Sequence, residues 1–305
     1  MTHRSGFIAI IGRPNVGKST LINALLGQKV AAVSPRPQTT RKRQLGILTL
    51  EGVQLIFVDT PGIHNAKHKL GEFLNQEAEE ALHGVDLILW LVDASTPPTE
   101  EDKNISILLH GISLQTPRLL VLNKCDLVQS DDLLTRTQEF IQLISTSKSG
   151  LSRDPIQISA SRKSGLGDLV AALIQAAPER EPEYPEDQIT DLYEKEIAGD
   201  LIREACLIKL RDEVPHGMAV RIDEFKEREN GMAYIAATIF VERESQKGIV
   251  IGDGGKMLKS IGSATRKEIE DMGGRKVFLE LRVKVSKDWR NDANVLKQLG
   301  YGKKK

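Results

Sequence analysis

Short apolar runs recur through the first half of the chain at 7–11, 53–58, 87–92, 119–122 and 155–158, each ending beside turn residues. Their hydrophobicity is continuous rather than alternating, the mark of strands buried on both faces. Between them lie segments such as 19–26 and 71–83, in which apolar residues return at helical spacing. Strands alternating with amphipathic helices predict an α/β domain, a mostly parallel sheet wrapped by helices, with its ligand at the carboxyl ends of the strands. The stretch PEREPEYP at 178–185 predicts a stiff, polar connector that ends the last helix. Beyond it the pattern changes. Segment 192–210 has helical spacing, 218–227 and 232–243 alternate, 256–272 reads as helix and 277–285 alternates again. The expected organisation is a first domain at 1–177, a linker at 178–190 and a smaller α+β domain at 191–305.

Charge sharpens this division. The 42 basic and 42 acidic residues cancel over the whole chain, which argues against a generic polyanion binder. From 179 to 204, however, ten acidic residues face three basic ones, whereas from 255 to 305 fourteen basic residues face six acidic ones. The basic end is the candidate surface for nucleic acid or for an anionic lipid face. Two cysteines, Cys125 and Cys206, are too few and too far apart for a disulfide framework and read as small thiols in a reducing cytosol. The longest apolar runs are far below membrane-spanning length.

The sequence GRPNVGKS at 12–19 follows a predicted strand and opens a predicted helix, the setting a P-loop requires. Gly12 and Gly17, with Arg13, Pro14, Asn15 and Val16 between them, let backbone N–H groups turn onto phosphates. Lys18 neutralises the β and γ oxygens, Ser19 offers a hydroxyl to Mg²⁺, and Thr20 continues the helix start. Asp59 ends an apolar strand and fits as the outer Mg²⁺ carboxylate, followed by Thr60, Pro61 and Gly62, whose N–H reaches a γ-phosphate. The stretch NKCD comprises Asn123, Lys124, Cys125 and Asp126. The Asp126 carboxylate accepts from guanine N1–H and its exocyclic amine, donors that adenine lacks, so the pocket rejects ATP. Asn123 ties this loop to the P-loop and Lys124 covers one face of the base. Ser159 and Ala160, after the last strand, bring an N–H toward guanine O6. Between the cradle and Asp59, segment 34–43 holds Thr39 and Thr40; one of these hydroxyls reaches Mg²⁺ when the γ-phosphate is present, Thr40 being the favoured register.

In the second domain, Ile251 leads into Gly252, Asp253, Gly254 and Gly255, then Lys256 and Lys259, a glycine turn between two apolar helical segments. A GxxG turn of this kind lets bare backbone approach a single-stranded sugar-phosphate chain, with an apolar groove holding about four nucleotides. Asp253 is an unwelcome charge there, which Lys256 and Lys259 offset. Trp289 and Tyr301 read as packing residues. His64 and His68 read as loop residues rather than a metal pair.

The first-domain motifs resemble the translation-factor-related GTPases. YPEDQIT after the linker, VERESQKGIVIG from Val241, and KDWR and LGY near the end narrow the resemblance to the Era family, with its KH-type second domain of type II. The resemblance implies a GTP/GDP switch that hydrolyses GTP slowly and binds the 3′ end of 16S rRNA. It also implies assistance to rRNA processing and assembly of the 30S small ribosomal subunit, a cytoplasmic location with peripheral association at the inner membrane, and a monomer. In place of the glutamine that orients water in many GTPases stands Ile63, which has no hydrogen-bonding group. In related GTPases an asparagine at the place of Asn15 helps to hold K⁺ against the phosphates, so hydrolysis is assigned to Asn15, Lys18, Thr40 and Gly62. Competing sources of that charge are Arg36, Arg41 or Arg43 in cis, or a group from the ribosome. Competing functional classes are a constitutive RNA scaffold that senses nucleotide and a membrane-surface GTPase.

Overall fold

The computed structural model describes residues 3–34, 36, 39–64, 66–113, 115–145, 151, 154–228 and 231–301. They form two compact units. One comprises the described residues of Met1–Ala31, Thr40–Asn65 and Leu74–Asp191, the other those of Ala32–Thr39, Ala66–Phe73 and Leu192–Lys305. Part of segment 34–43 (Pro35, Pro37 and Gln38) and the terminal Lys303 to Lys305 lie outside the described residues.

In the first unit, strands β1 (Arg4–Ile11), β2 (Gln44–Leu50), β3 (Val53–Asp59), β4 (Leu87–Asp93), β5 (Arg118–Asn123) and β6 (Ile156–Gln157) form one sheet in the order β2-β3-β1-β4-β5-β6. All neighbours are parallel except β2, which runs antiparallel to β3. Every residue of β3, β4 and β5 is buried, which is why these strands read as unbroken apolar runs. Helices α1 (Lys18–Leu26) and α5 (Leu166–Ala176) supply Leu21, Ile22, Leu169 and Leu173 to the core on one face. On the other, α2 (Lys69–Glu80), α3 (Glu100–His110) and α4 (Ser130–Ser145) contribute Ala78, Ile105 and Phe140 around Trp90.

Strand β2 was not expected from the apolar runs. It follows the polar 34–43 stretch and turns into β3 through Glu51 and Gly52, the latter at φ 70°. The proline-rich connector also behaves differently from a free spacer. Ile47 N–H donates to the Ile189 carbonyl at 2.8 Å and Leu45 N–H to the Asp191 carboxylate at 2.7 Å, while the buried Gln54 amide bonds the backbone of Glu183 and Tyr184. The first unit thus extends to Asp191, and the connector covers an edge strand that otherwise offers unpaired backbone groups.

The second unit contains α6 (Glu194–Lys209), β7 (Ala219–Glu227), β8 (Ala233–Val241), α7 (Glu244–Ile251), α8 (Lys256–Gly273), β9 (Val277–Val285) and α9 (Ala293–Gln298). Its sheet has the order β7-β8-β9, antiparallel between β7 and β8 and parallel between β8 and β9. Ile202 and Cys206 of α6 and Ile261 of α8 pack with Ala237 and Ile239 in its core. Trp289 is fully buried, donates its indole N–H to the Gly217 carbonyl at 2.9 Å and stacks with Tyr301, so both aromatics are packing residues. Segment 66–73 belongs to this unit. Leu70 N–H donates to the Arg290 carbonyl at 3.0 Å, and the Phe73 ring meets Tyr301 edge-on at 6.1 Å.

Candidate functional site

The P-loop leaves β1 at Gly12 and enters α1 at Lys18, so the first-turn N–H groups of the helix face the carboxyl end of the sheet. Gly17 adopts φ 104°, and a Cβ there would lie 2.3 Å from the Asn123 amide nitrogen, so only glycine fits. Asn123 closes the loop. Its Nδ2 donates to the Val16 carbonyl at 2.8 Å, and its Oδ1 accepts from Ala160 N–H at 2.9 Å. One buried amide therefore joins the phosphate cradle, NKCD and the Ser159–Ala160 turn.

Lys18 is buried and donates to the Gly12 and Arg13 carbonyls at 2.9 and 3.1 Å. Burial pulls its pKa down to about 8, with the Asp59 charge opposing that shift. Ser19 Oγ and Thr40 Oγ1 lie 2.9 Å apart, and each hydroxyl donates to Asp59 Oδ2 at 3.1 Å. Gln44 Nε2 adds a 3.2 Å bond to the same oxygen. Thr39 instead donates its hydroxyl to the Arg36 carbonyl at 3.0 Å. Asp59 is fully buried, and burial raises its carboxyl above the ordinary range. Among the described residues its Oδ1 has no hydrogen-bond partner. Two hydroxyls and a buried carboxylate with one unengaged oxygen fit a hard divalent cation that keeps most of its water, as Mg²⁺ does.

After Asp59, the Thr60 hydroxyl donates to the Ile10 carbonyl at 2.7 Å, and Pro61 and Gly62 are buried against the P-loop side. A Cβ on Gly62 would lie 2.8 Å from Pro14 N, so the two loops touch through backbone. Ile63 is only 8% exposed and packs with Ile11, Trp90 and Leu82. Its side chain is a core residue, which gives a physical reason for a hydrophobic group at a position where other GTPases hold water. Asn15 is exposed at φ 65° on the loop.

At the base end, the Ser159 hydroxyl and then the Arg162 guanidinium, which donates at 3.0 Å, hold the Asp126 carboxyl below the ordinary range. Cys125 Sγ–H donates to the Leu122 carbonyl at 3.3 Å, a structural contact. Lys124 sits at φ 63°, and its ammonium donates to Asp93 Oδ2 at 2.6 Å.

That last bond leads to a charge cluster missed in the sequence. Arg13 lies 3.5 Å from Asp93 and 3.3 Å from Asp102, and donates to the Thr96 hydroxyl at 2.8 Å. Burial works against the Asp93 charge, but the Lys124 and Ser95 hydrogen bonds outweigh it and hold that carboxyl low. Asp102 is wholly buried and accepts from Thr99 N–H and Oγ1, forming the capping box of α3. The cluster fastens the P-loop, the end of β4, α3 and NKCD together. The T-x-x-D spacing at 99–102 signals the cap in sequence; its reach to Arg13 is visible only in three dimensions. Gln44 was missed because β2 was.

In the second unit, α7 ends at Ile251 and the turn Gly252–Gly255 leads into α8, with Gly252, Gly254 and Gly255 all at positive φ. A Cβ on Gly252 would lie 2.7 Å from Met257 Cβ, so the turn is built for glycine. Asp253, Lys256 and Lys259 are exposed, and Lys256 donates to Asp253 Oδ2 at 3.1 Å.

A mostly parallel sheet with a P-loop, a buried carboxylate beside two hydroxyls and an NKCD loop, joined to an α+β unit with a GxxG turn, defines a P-loop GTPase carrying a KH domain. The chain matches the family described as 50S ribosome-binding GTPase over residues 7–124 and the KH domain over residues 213–290. It is 48% identical to the GTPase Era of Ruminiclostridium cellulolyticum, covering 99% of this chain and 98% of the relative. It is 47% identical to that of Geobacter metallireducens, covering 98% of each. The chain belongs to the Era family of GTPases. Among solved structures it is similar to Era in complex with MgGDPNP and nucleotides 1506–1542 of 16S ribosomal RNA (TM-score 0.91, 37% identity, 99% of this chain and 100% of that one). It is also similar to a variant of Aquifex aeolicus Era bound to GDP.AlF4- (TM-score 0.90, 38% identity, 98% and 100%).

Proposed function

We propose that this GTPase binds the 3′ end of 16S rRNA through its KH domain under control of the bound nucleotide, and so assists processing of that RNA and assembly of the 30S subunit. The observation that carries the reading is the Gly252–Gly255 turn, with Asp253 and Gly254 exposed and Lys256 and Lys259 beside them, in a chain that also holds the P-loop and NKCD motifs. The relative solved with MgGDPNP and a 16S rRNA fragment supports the same pairing of ligands.

Ser19, Thr40 and Asp59 would hold Mg²⁺, which when bound neutralises charge on the β- and γ-phosphates. The Lys18 ammonium would serve the same oxygens, and the Gly62 N–H is the group we assign to the γ-phosphate. Asp126 and the Ala160 N–H read the guanine edge. With Ile63 in the core, Asn15 on the exposed loop is the residue we assign to holding K⁺ beside the phosphates, so turnover in K⁺ exceeds turnover in Na⁺. Equal rates in the two salts, with Asn15→Ala unchanged, would remove the K⁺ assignment.

The described residues of 32–39 and segment 66–73, which flank the Thr40 and Asp59 motifs in sequence, belong to the second unit. They supply the route by which nucleotide state changes RNA binding. The location we assign is cytoplasmic, with peripheral attachment to the inner membrane; no helix among the described residues is long and apolar enough to cross it. Crosslinking in cells tests the reading: residues 252–259 should map to the 3′ end of the small-subunit rRNA, and their absence from that rRNA would overturn it.

A further inference from the structure

The face of the second sheet that points away from α6 and α8 carries two aromatic–guanidinium steps that the GxxG turn does not use. Tyr234 of β8 and Phe278 of β9 are register partners, their rings stacked with centroids 5.9 Å apart and planes 21° apart. The Arg228 guanidinium carbon lies 4.9 Å from the Tyr234 ring centre and 5.4 Å from that of Phe278. Phe278 is 50% exposed, although strand alternation gives it a buried neighbour in Val277. Six residues along β8, and so about 20 Å away on the same face, Phe240 lies 5.1 Å beneath the Arg221 guanidinium.

The acidic groups of this face are engaged. Glu280 accepts from the Tyr234 hydroxyl and from Arg282, Asp223 from Arg221 and the Thr238 hydroxyl, and Glu224 is paired with Lys226. Lys284 is exposed on the same side of β9. Neutralised carboxylates, planar cations on rings and a free-edge strand are the elements of a stacking platform for single-stranded nucleic acid. Continuity supplies the occupant. The GxxG turn feeds α8, α8 packs over β9 through Ile261 and Ile269, and β9 is the edge of the sheet. An RNA chain leaving the turn and α8 therefore meets the β9 edge and the platform behind it.

We propose that the Arg228–Tyr234–Phe278 step, with Arg221–Phe240 as its second station, stacks bases of the RNA strand beyond the nucleotides held at the GxxG turn. The proposal rests on the RNA-binding reading above and extends it to a second surface. A full-chain titration with two single-stranded RNAs from the 3′ end of 16S rRNA, one of about four nucleotides that only fills the KH groove and one of roughly ten, separates the two. Arg228→Ala and Phe278→Ala should each weaken the longer RNA roughly tenfold and leave the shorter one and GTP hydrolysis unchanged. Phe278→Tyr should restore binding, and 5-iodouridine in the longer RNA should crosslink to Phe278 or Tyr234. Unchanged affinity for the longer RNA, equal loss for both RNAs, or no crosslink on this face would overturn the platform while leaving the GxxG site standing. Failure of the wild-type chain to bind either RNA would overturn both. A concentration-dependent dimer abolished by Phe278→Ala would give the face to a second copy and overturn the RNA assignment.

Discussion

At Asp126 a single carboxylate is the group we assign to choosing the base. Replacing it with asparagine puts an amide donor opposite the guanine exocyclic amine and leaves that donor pair unmatched, whereas xanthine presents a carbonyl there. Asp126→Asn should lower GTP affinity by roughly 100-fold or more and gain xanthosine triphosphate, read by titration with fluorescent nucleotides. Asp102 acts through Arg13. Asp102→Ala leaves Arg13 with Asp93 as its remaining carboxylate and α3 without its cap acceptor, and should cost about 2 kcal/mol, seen as a lower midpoint in chemical denaturation. Cys206 shows the reverse case, a group kept neutral. Burial pushes its thiol up to about 12 from an ordinary value near 9. Between those two values the unfolded chain is a thiolate while the folded chain keeps its proton, so stability falls as pH rises through that window. Below it there is no effect. Cys206→Ala should flatten that slope, and iodoacetamide at pH 8 should label Cys206 only after denaturant is added. The chemistry-bearing types were legible one residue at a time, because Lys18, Asp59 and Asp126 stand in contiguous motifs. Asp93 and Asp102 were not, because an ion pair between distant segments leaves no local spacing to read.

Elements depend on short signals read at their ends and on neighbours that sequence does not name. Helix α3 begins at a complete capping box, with Thr99 and Asp102 exchanging backbone and side-chain bonds. Thr99→Ala should therefore cost about 1 kcal/mol, measured by thermal melting, with nucleotide affinity falling as well because Asp102 also holds Arg13. The Gly252–Gly255 turn is legible in the same way, since four residues with three at positive φ demand glycine. Gly254→Asp adds a charge and a strained backbone at the turn we assign to RNA phosphate. It should abolish RNA binding in a filter assay while GTP turnover stays intact. Strand β2 escaped notice because it follows a polar segment, its apolar residues are interrupted by Gly46 and Thr49, and it is held by partners on both sides, β3 and the 178–191 connector. Its existence depends on that pairing rather than on its own periodicity.

The molecule as a whole joins a GTPase unit to a KH domain, and linkage makes the proposed coupling measurable. If GTP raises RNA affinity, RNA raises GTP affinity by the same factor. Titrations with GDP and with a non-hydrolysable GTP analogue should give different RNA affinities. Phe73→Ala, which removes the edge contact with Tyr301, should narrow that difference. Equal affinities in the wild-type chain would leave a constitutive RNA binder. The sequence alone determined the two-unit plan, the parallel sheet and the phosphate and base motifs, because buried strands need unbroken apolar runs and a phosphate cradle is made of consecutive backbone groups. Tertiary structure decided the rest. It placed Ile63 in the core, brought Arg13 to Asp102, laid the connector along β2 and put the described residues of 32–39 and segment 66–73 into the second unit. These are choices among contacts distant in sequence, and only packing the whole chain selects them.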